Sequence, residues 1–288
     1  MTAPGPAPAA LLHSSFYRFT PLADPLAAAQ AVRGWAQGLT GLVVLAPEGI
    51  SGAVAGAPAT VQALEAALVG SGLLGPAADL APDGLRPLRF KHSGCQTAPF
   101  GRLKVTVKPE IVSLSLPGYA ELLPPDEHDA SHLTPAAWRE LMARGEAVLL
   151  DNRNHFEWRL GHFRGAADPA VHHFRDFVAY VEQHAPAWRA AGRPGAMSCT
   201  GGVRCDKTAP WMRSLGLQVL QLEGGIVNYL ATMPDAALDW QGECFVFDKR
   251  IALDTRLQET ETRAVDVFDP SHPDEAWRLA RADRLDGA

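Results

Sequence analysis

Apolar and polar positions change period several times along the chain, and each change marks an element. Phe16-Tyr17-Arg18-Phe19 alternates as a strand does, whereas Leu26, Ala29, Val32 and Ala36 recur at helical spacing after an Asp24-Pro25 start. Gly41 to Ala46 is a continuous apolar run of strand length, and Glu48-Gly49 turns it into a second strand over Ile50 to Ala55. A helical stretch follows from Ala59 to Leu68, then strands at Leu88 to Lys91 and at Leu103 to Val107. The first six of these elements follow the order βαββαβ, which predicts a small ferredoxin-like α+β domain over residues 15–117, preceded by a disordered tail at 1–14.

A Pro- and acid-rich stretch, Pro124-Pro125-Asp126-Glu127, marks residues 118–132 as a linker. Thr134-Pro135 then caps a helix reaching about Arg144. Apolar strands at Ala147 to Leu150, Gly195 to Met197 and Val219 to Leu222 alternate with helices, which predicts a parallel α/β sheet over residues 133–235. The remainder, 236–288, is too aromatic near Trp240 to Phe247 for a free tail and is expected to dock at least partly on the second domain. A last helix is read over Ala276 to Arg284.

The segment Ser198-Cys199-Thr200-Gly201-Gly202-Val203-Arg204-Cys205-Asp206-Lys207 joins one of those strands to a helix read from Thr208 to Leu215. Paired glycines let successive N–H groups point inward as an anion nest, and a helix start adds unpaired N–H groups and a positive dipole end. A thiol there loses its proton more readily than a free cysteine, so Cys199 is the candidate nucleophile or sulfur carrier. Thr200, Gly201, Gly202, Val203 and Arg204 form the cradle. Lys207, unfavourable for the dipole, hints at an anionic partner near its mouth. Cys205 either resolves an oxidised Cys199 or is a small residue packed below the loop. Arg204 either binds an anion or holds the loop. Asp151 and Arg153 can pair through two hydrogen bonds and buttress the cradle.

Bulk properties narrow the field. The 288 residues suffice for two modest domains, and no apolar run approaches the roughly 18 residues of a membrane span. Four cysteines at irregular spacing do not make a disulfide framework, so a cytoplasmic setting is expected. A net charge of −6 excludes a uniformly basic nucleic-acid binder but permits a local basic face. Lys91, Arg102, Lys104 and Lys108 supply one, with the last three sharing strand parity; they are either a solvated face or a nucleic-acid contact beside Phe90 and Phe100. His162, His172, His173 and His184 match no helical or carboxylate-assisted ligand spacing, so no metal site is expected.

Only four residues separate Cys199 from Arg204, fewer than in the phosphatase cradle, and the tighter ring resembles the rhodanese loop. Asp151-Asn152-Arg153, Glu157, Gly161 to Ala166 and Leu222 to Ile226 are similar to the accompanying rhodanese pattern. The likeness extends further. Ala46-Pro47-Glu48-Gly49-Ile50-Ser51-Gly52, Arg102-Leu103-Lys104-Val105 with Glu110-Ile111-Val112, Asp151 to Asn154, Cys199 to Lys207, and Trp240 to Arg250 resemble, in order, motifs of the bacterial tRNA uridine hydroxylase family. The likeness covers about residues 15 to 253, with Ser51 in place of the usual asparagine and no cysteine after Cys244.

The resemblance implies a ferredoxin-like domain followed by a rhodanese domain. It also implies oxygen-dependent hydroxylation of the wobble uridine to 5-hydroxyuridine, with Cys199 at the catalytic position, Asn154 beside Asp151 and Arg153, molecular oxygen as co-substrate and the tRNA anticodon loop as partner. No flavin, haem or 2-His-1-carboxylate signature accompanies it, and the electron donor is unnamed. Sulfur transfer through a Cys199 persulfide fits the loop equally well, and a non-catalytic tRNA or protein binder is the third class.

Overall fold

A computed structural model describes residues 11–74, 88–96, 98–116 and 131–286, with side chains to residue 282. The chain divides between Ile111 and Val112 into two compact units. Residues 1–10 of the expected tail and all of the expected linker before Ser131 lie outside the described residues.

The first unit runs β1 (Leu11–Phe19), α1 (Pro25–Trp35), β2 (Thr40–Ala46), β3 (Gly49–Gly56), α2 (Pro58–Gly70), β4 (Lys91–Cys95) and β5 (Leu103–Val107). One mixed sheet has the order β4-β1-β3-β2-β5, with β5 parallel to β2 and the other pairs antiparallel. Phe16, Val43, Leu45, Ile50 and Val54 on the sheet pack with Val32, Val61, Leu64 and Leu68 of the two helices. Asp24 caps α1 by accepting from the N–H groups of Leu26 and Ala27, both at 2.9 Å. At the β2–β3 turn Gly49 has φ +146°, and a Cβ there would lie 2.0 Å from the Arg18 carbonyl oxygen, so no other residue fits.

Two strands of the first unit are displaced from expectation. β1 starts at Leu11, inside the expected tail, because residues 11–15 pair with β4 on one side while β3 holds the other. The polar Ser14 and Ser15 disguise that strand; Ser14 is buried and its hydroxyl donates to Glu65 at 2.5 Å. β4 begins at Lys91, where the expected strand ends, since Leu88 packs into the core ahead of it.

The second unit runs β6 (His132–Leu133), α3 (Pro135–Arg144), β7 (Val148–Asp151), α4 (His155–Leu160), β8 (Gly161–Phe163), α5 (Phe177–Ala191), β9 (Gly195–Ser198), α6 (Val203–Ser214), β10 (Val219–Leu222) and α7 (Gly225–Thr232). Strands β6-β10-β9-β7 form a parallel sheet in that order, and Leu150 adds a parallel bridge to Ala167 beyond β7. One face packs on Phe177, Val181 and Met212, the other on Trp138, Ile226 and Tyr229. All of β9 is therefore buried, as a central parallel strand should be. Helix α6 starts at Val203, five residues before the expected Thr208, with Pro210 inside it rather than at its start.

The chain continues through β11 (Trp240–Gly242), β12 (Cys244–Phe245), β13 (Ala252–Leu253), α8 (Ala264–Val267) and α9 (Pro273–Asp286). β11 pairs antiparallel with β8, while Phe245, Val267 and Phe268 enclose Phe156 of α4. Among the described residues no helix is long and apolar enough to cross a membrane.

Candidate active site

Cys199 leaves the carboxyl end of β9, where open parallel sheets place their ligands, and its loop closes on the first turn of α6. Gly202 takes φ +98° and turns its N–H onto the Cys199 Sγ at 3.2 Å. The main-chain amides of Arg204 and Cys205 and the Cys205 thiol also favour the anion of that sulfur. Burial pushes the Cys199 thiol up. The Cys205 S–H, the Arg204 charge and those N–H groups outweigh it and bring the pKa down to about 6. Cys205 moves the opposite way, well above an ordinary thiol, because burial and the neighbouring Cys199 both disfavour its anion. The pair is thus polarised, one sulfur as thiolate and the other as its donor. Cys199 is 1 % exposed beneath a rim of half-buried Thr200, Gly201 and Val203.

The loop is held from two sides. On one, the N–H groups of Ile226 and Val227 at the start of α7 donate to the carbonyls of Cys199 (2.9 Å) and Thr200 (3.1 Å). With its carbonyls drawn outward, the loop keeps its amides inward. Gly225 makes that contact feasible, with φ +75° and its α-carbon against the loop backbone. On the other, Arg204 donates to both Glu157 oxygens at 2.9 and 2.8 Å. The same carboxylate accepts from Thr200 Oγ1 at 3.4 Å and from the Asn154 N–H at 3.1 Å. The Arg204 guanidinium is thus engaged by Glu157 and the Asn152 carbonyl, the kind of partner that the loop-holding reading of this residue requires.

Asp151 and Arg153 form the expected two-bond pair, at 2.8 and 2.7 Å, fully buried. Arg153 goes on to the Gly161 carbonyl and lies under the Trp240 ring. It ties β7 to β8 and β11; the direct buttress of the cradle is Glu157. Asn154 contributes its backbone N–H rather than its amide. Lys207 is fully buried on α6, so it is not the cation at the mouth that its position in the sequence implied.

The remaining candidates are dispersed. Arg102, Lys104 and Lys108 are exposed along and just beyond β5, where Arg33, Arg102 and Lys104 line a recess of about 480 Å³. Lys91 is on β4, the opposite edge of the sheet, four strand spacings or roughly 19 Å away. It lies over the Tyr17 ring. Phe90 and Phe100 also turn elsewhere, onto Phe16 and His13. His162 stacks on Trp158 and His184 on Trp188. His172 does meet His272 and Asp274, with ligand atoms within 4.8 Å of one another. The two imidazoles stack face to face at 3.9 Å, and the in-plane lone pairs of stacked rings do not converge on one ion. All four cysteines are free, and burial raises the Cys244 thiol to about 12.

Comparison with known proteins matches residues 12–111 to the family described as UPF0176 acylphosphatase like domain. A tRNA uridine(34) hydroxylase of Deinococcus radiodurans is 39 % identical over 262 residues, covering 90 % of this chain and 81 % of that one. The chain belongs to the tRNA uridine(34) hydroxylase family. The family member from Synechococcus elongatus is 41 % identical over 251 residues, covering 85 % of this chain and 86 % of that one. A solved rhodanese-like domain from Anabaena sp covers 40 % of this chain and 80 % of its own, at 17 % identity and a TM-score of 0.31. The first unit of this hydroxylase-family chain has an acylphosphatase-like sheet, and the Cys199 loop crowns the parallel sheet of the second.

Proposed function

We propose that the chain hydroxylates the wobble uridine of tRNA at C5 and that Cys199 is the residue that meets the base. The observation carrying this reading is the Cys199 sulfur, held ionised near neutral pH by the Gly202, Arg204 and Cys205 N–H groups and the Cys205 thiol. A thiolate can add to C6 of uracil, which places electron density on C5. C5 then takes an oxygen atom, and loss of the C5 proton with departure of the thiolate restores the ring. With O2 as co-substrate the second oxygen atom leaves as water, consuming two electrons and two protons from an external reductant.

The anticodon loop fits this site because its bases are the least costly in tRNA to unstack into a recess. The exposed Arg33, Arg102, Lys104 and Lys108 suit phosphate contacts, and a tRNA substrate accords with a cytoplasmic setting. Nucleoside analysis of tRNA from a deletion strain complemented with wild-type or Cys199→Ser protein tests the reading. The expected result is 5-hydroxyuridine with the former and none with the latter. An unchanged 5-hydroxyuridine level in the uncomplemented deletion strain sinks it, and a change in thiolated nucleosides instead selects sulfur transfer.

A further inference from the structure

Phe245 and Phe247 stand two residues apart and meet opposite fates. Phe245 is 3 % exposed among Phe156 and Phe268, whereas Phe247 is 58 % exposed. A single exposed aromatic needs no explanation by itself. This one is held in place: its ring meets Phe245 edge-on at 4.9 Å, and the Arg204 guanidinium lies 5.6 Å from its centroid. The turn that presents it is also fixed. Arg250 clamps Asp248 through two hydrogen bonds, both side chains nearly buried, and Val246 N–H closes the turn onto the Ile251 carbonyl at 2.8 Å. Ile251 sits at φ +61°, a conformation a β-branched residue adopts only when its surroundings impose it.

The location gives the ring a use. Arg204 belongs to the loop whose Gly202 N–H meets the Cys199 sulfur, and its guanidinium lies over the Phe247 ring. The aromatic is thus joined to the Cys199 loop through one arginine side chain. A uridine drawn down to Cys199 leaves its neighbours without stacking partners, and an aromatic face is the group that replaces them whatever the base. The half-buried Lys249 on the same turn suits the adjoining phosphate.

We propose that Phe247 is the platform on which a nucleobase flanking the target uridine stacks, an assignment that rests on the tRNA reading above. The test uses the full chain and an anticodon stem-loop RNA carrying 2-aminopurine in turn at each nucleotide flanking the wobble uridine, since stacking quenches that fluorophore. Wild-type protein and Phe247→Trp should quench one of the two positions. Phe247→Leu, which keeps apolar volume but has no ring, should lose the quenching and bind the stem-loop about 10-fold more weakly. The pH midpoint of Cys199 alkylation should stay at the wild-type value in every variant, which separates lost stacking from a damaged loop. No quenching by wild type, or equal quenching and affinity in Phe247→Leu, overturns the proposal and leaves the ring to a protein contact. Hydroxylation is scored separately on unlabelled tRNA. Quenching that follows the ring without any 5-hydroxyuridine would remove the enzymatic reading and keep the platform; full hydroxylation by Phe247→Leu would do the reverse.

Discussion

A methyl group on Gly225 would lie 2.5 Å from the Cys199 carbonyl oxygen and 2.7 Å from the Gly202 nitrogen. Both atoms are backbone, so nothing flexible can yield, and the left-handed φ of +75° adds strain for any side chain. Gly225→Ala should push the loop off its amide geometry. A displacement near 1 Å costs on the order of 100-fold in rate, so 5-hydroxyuridine formation should fall by about that factor while stem-loop affinity holds. Gly34→Ala is the control: the same substitution, in helix α1 with nothing within 4 Å, should stabilise by about 0.5–1 kcal/mol and leave activity intact.

The Cys205 thiol acts as a side-chain donor toward the Cys199 sulfur and favours its anion. Iodoacetamide alkylation of Cys199 should therefore rise with pH through a midpoint near 6 in the wild type. Cys205→Ala removes that donor and should move the midpoint up toward the ordinary thiol value, whereas Cys205→Ser, with an O–H in place, should hold it lower. The sign for stability follows from the folded pKa lying below the unfolded one. The Cys199 thiolate's contribution is full above the unfolded thiol pKa of about 8.5 and is lost as pH falls through about 6. A wild-type alkylation midpoint near 8.5 would contradict the cradle.

Glu157 and Arg204 are a buried pair, 0 % and 7 % exposed, so removing one charge strands the other. Glu157→Gln keeps the shape and deletes the charge. It should cost about 3–5 kcal/mol of unfolding free energy, read from urea denaturation, and abolish hydroxylation by freeing Thr200 and Arg204 together. Replacing an exposed partner such as Glu140, which pairs with Arg144 at 3.9 Å on the surface of α3, should change stability by less than about 0.5 kcal/mol.

These cases show why the sequence exposed some of the site and concealed the rest. The Cys199 cradle was legible because its parts are contiguous: a buried strand, paired glycines and a helix start each leave a local trace. The ferredoxin-like strand order was legible through alternation and the Glu48-Gly49 turn. What was not legible depends on packing between distant segments. Gly225 reaches the loop through the placement of α7 against the segment that follows β9, although its glycine doublet with Gly224 was a visible signal. Arg204 meets Phe247 through the docking of the C-terminal segment, and Glu157 becomes the buttress because α4 points it there. Lys207 reads as a surface cation in one dimension and is fully buried by the helical phase of α6.

The basic residues of the first unit offer the sharpest contrast between sequence and structure, and hence a discriminating measurement. Arg102 and Lys104 share the β5 edge with Arg33, whose guanidinium is anchored on the Val105 carbonyl at 2.9 Å. Lys91 has the same charge but occupies the opposite edge of the sheet, over Tyr17. If phosphates run along β5, each cation there releases counterions on binding, and each contributes about 0.7–0.9 to the slope of log affinity against log salt. The double variant Arg102→Ala, Lys104→Ala should therefore weaken tRNA binding at low salt and flatten that slope by about 1.5, irrespective of anticodon sequence. Lys91→Ala should leave the slope unchanged. The reverse pattern, with Lys91 carrying the salt dependence, would move the RNA to the other edge of the sheet and strip the β5 recess of its role.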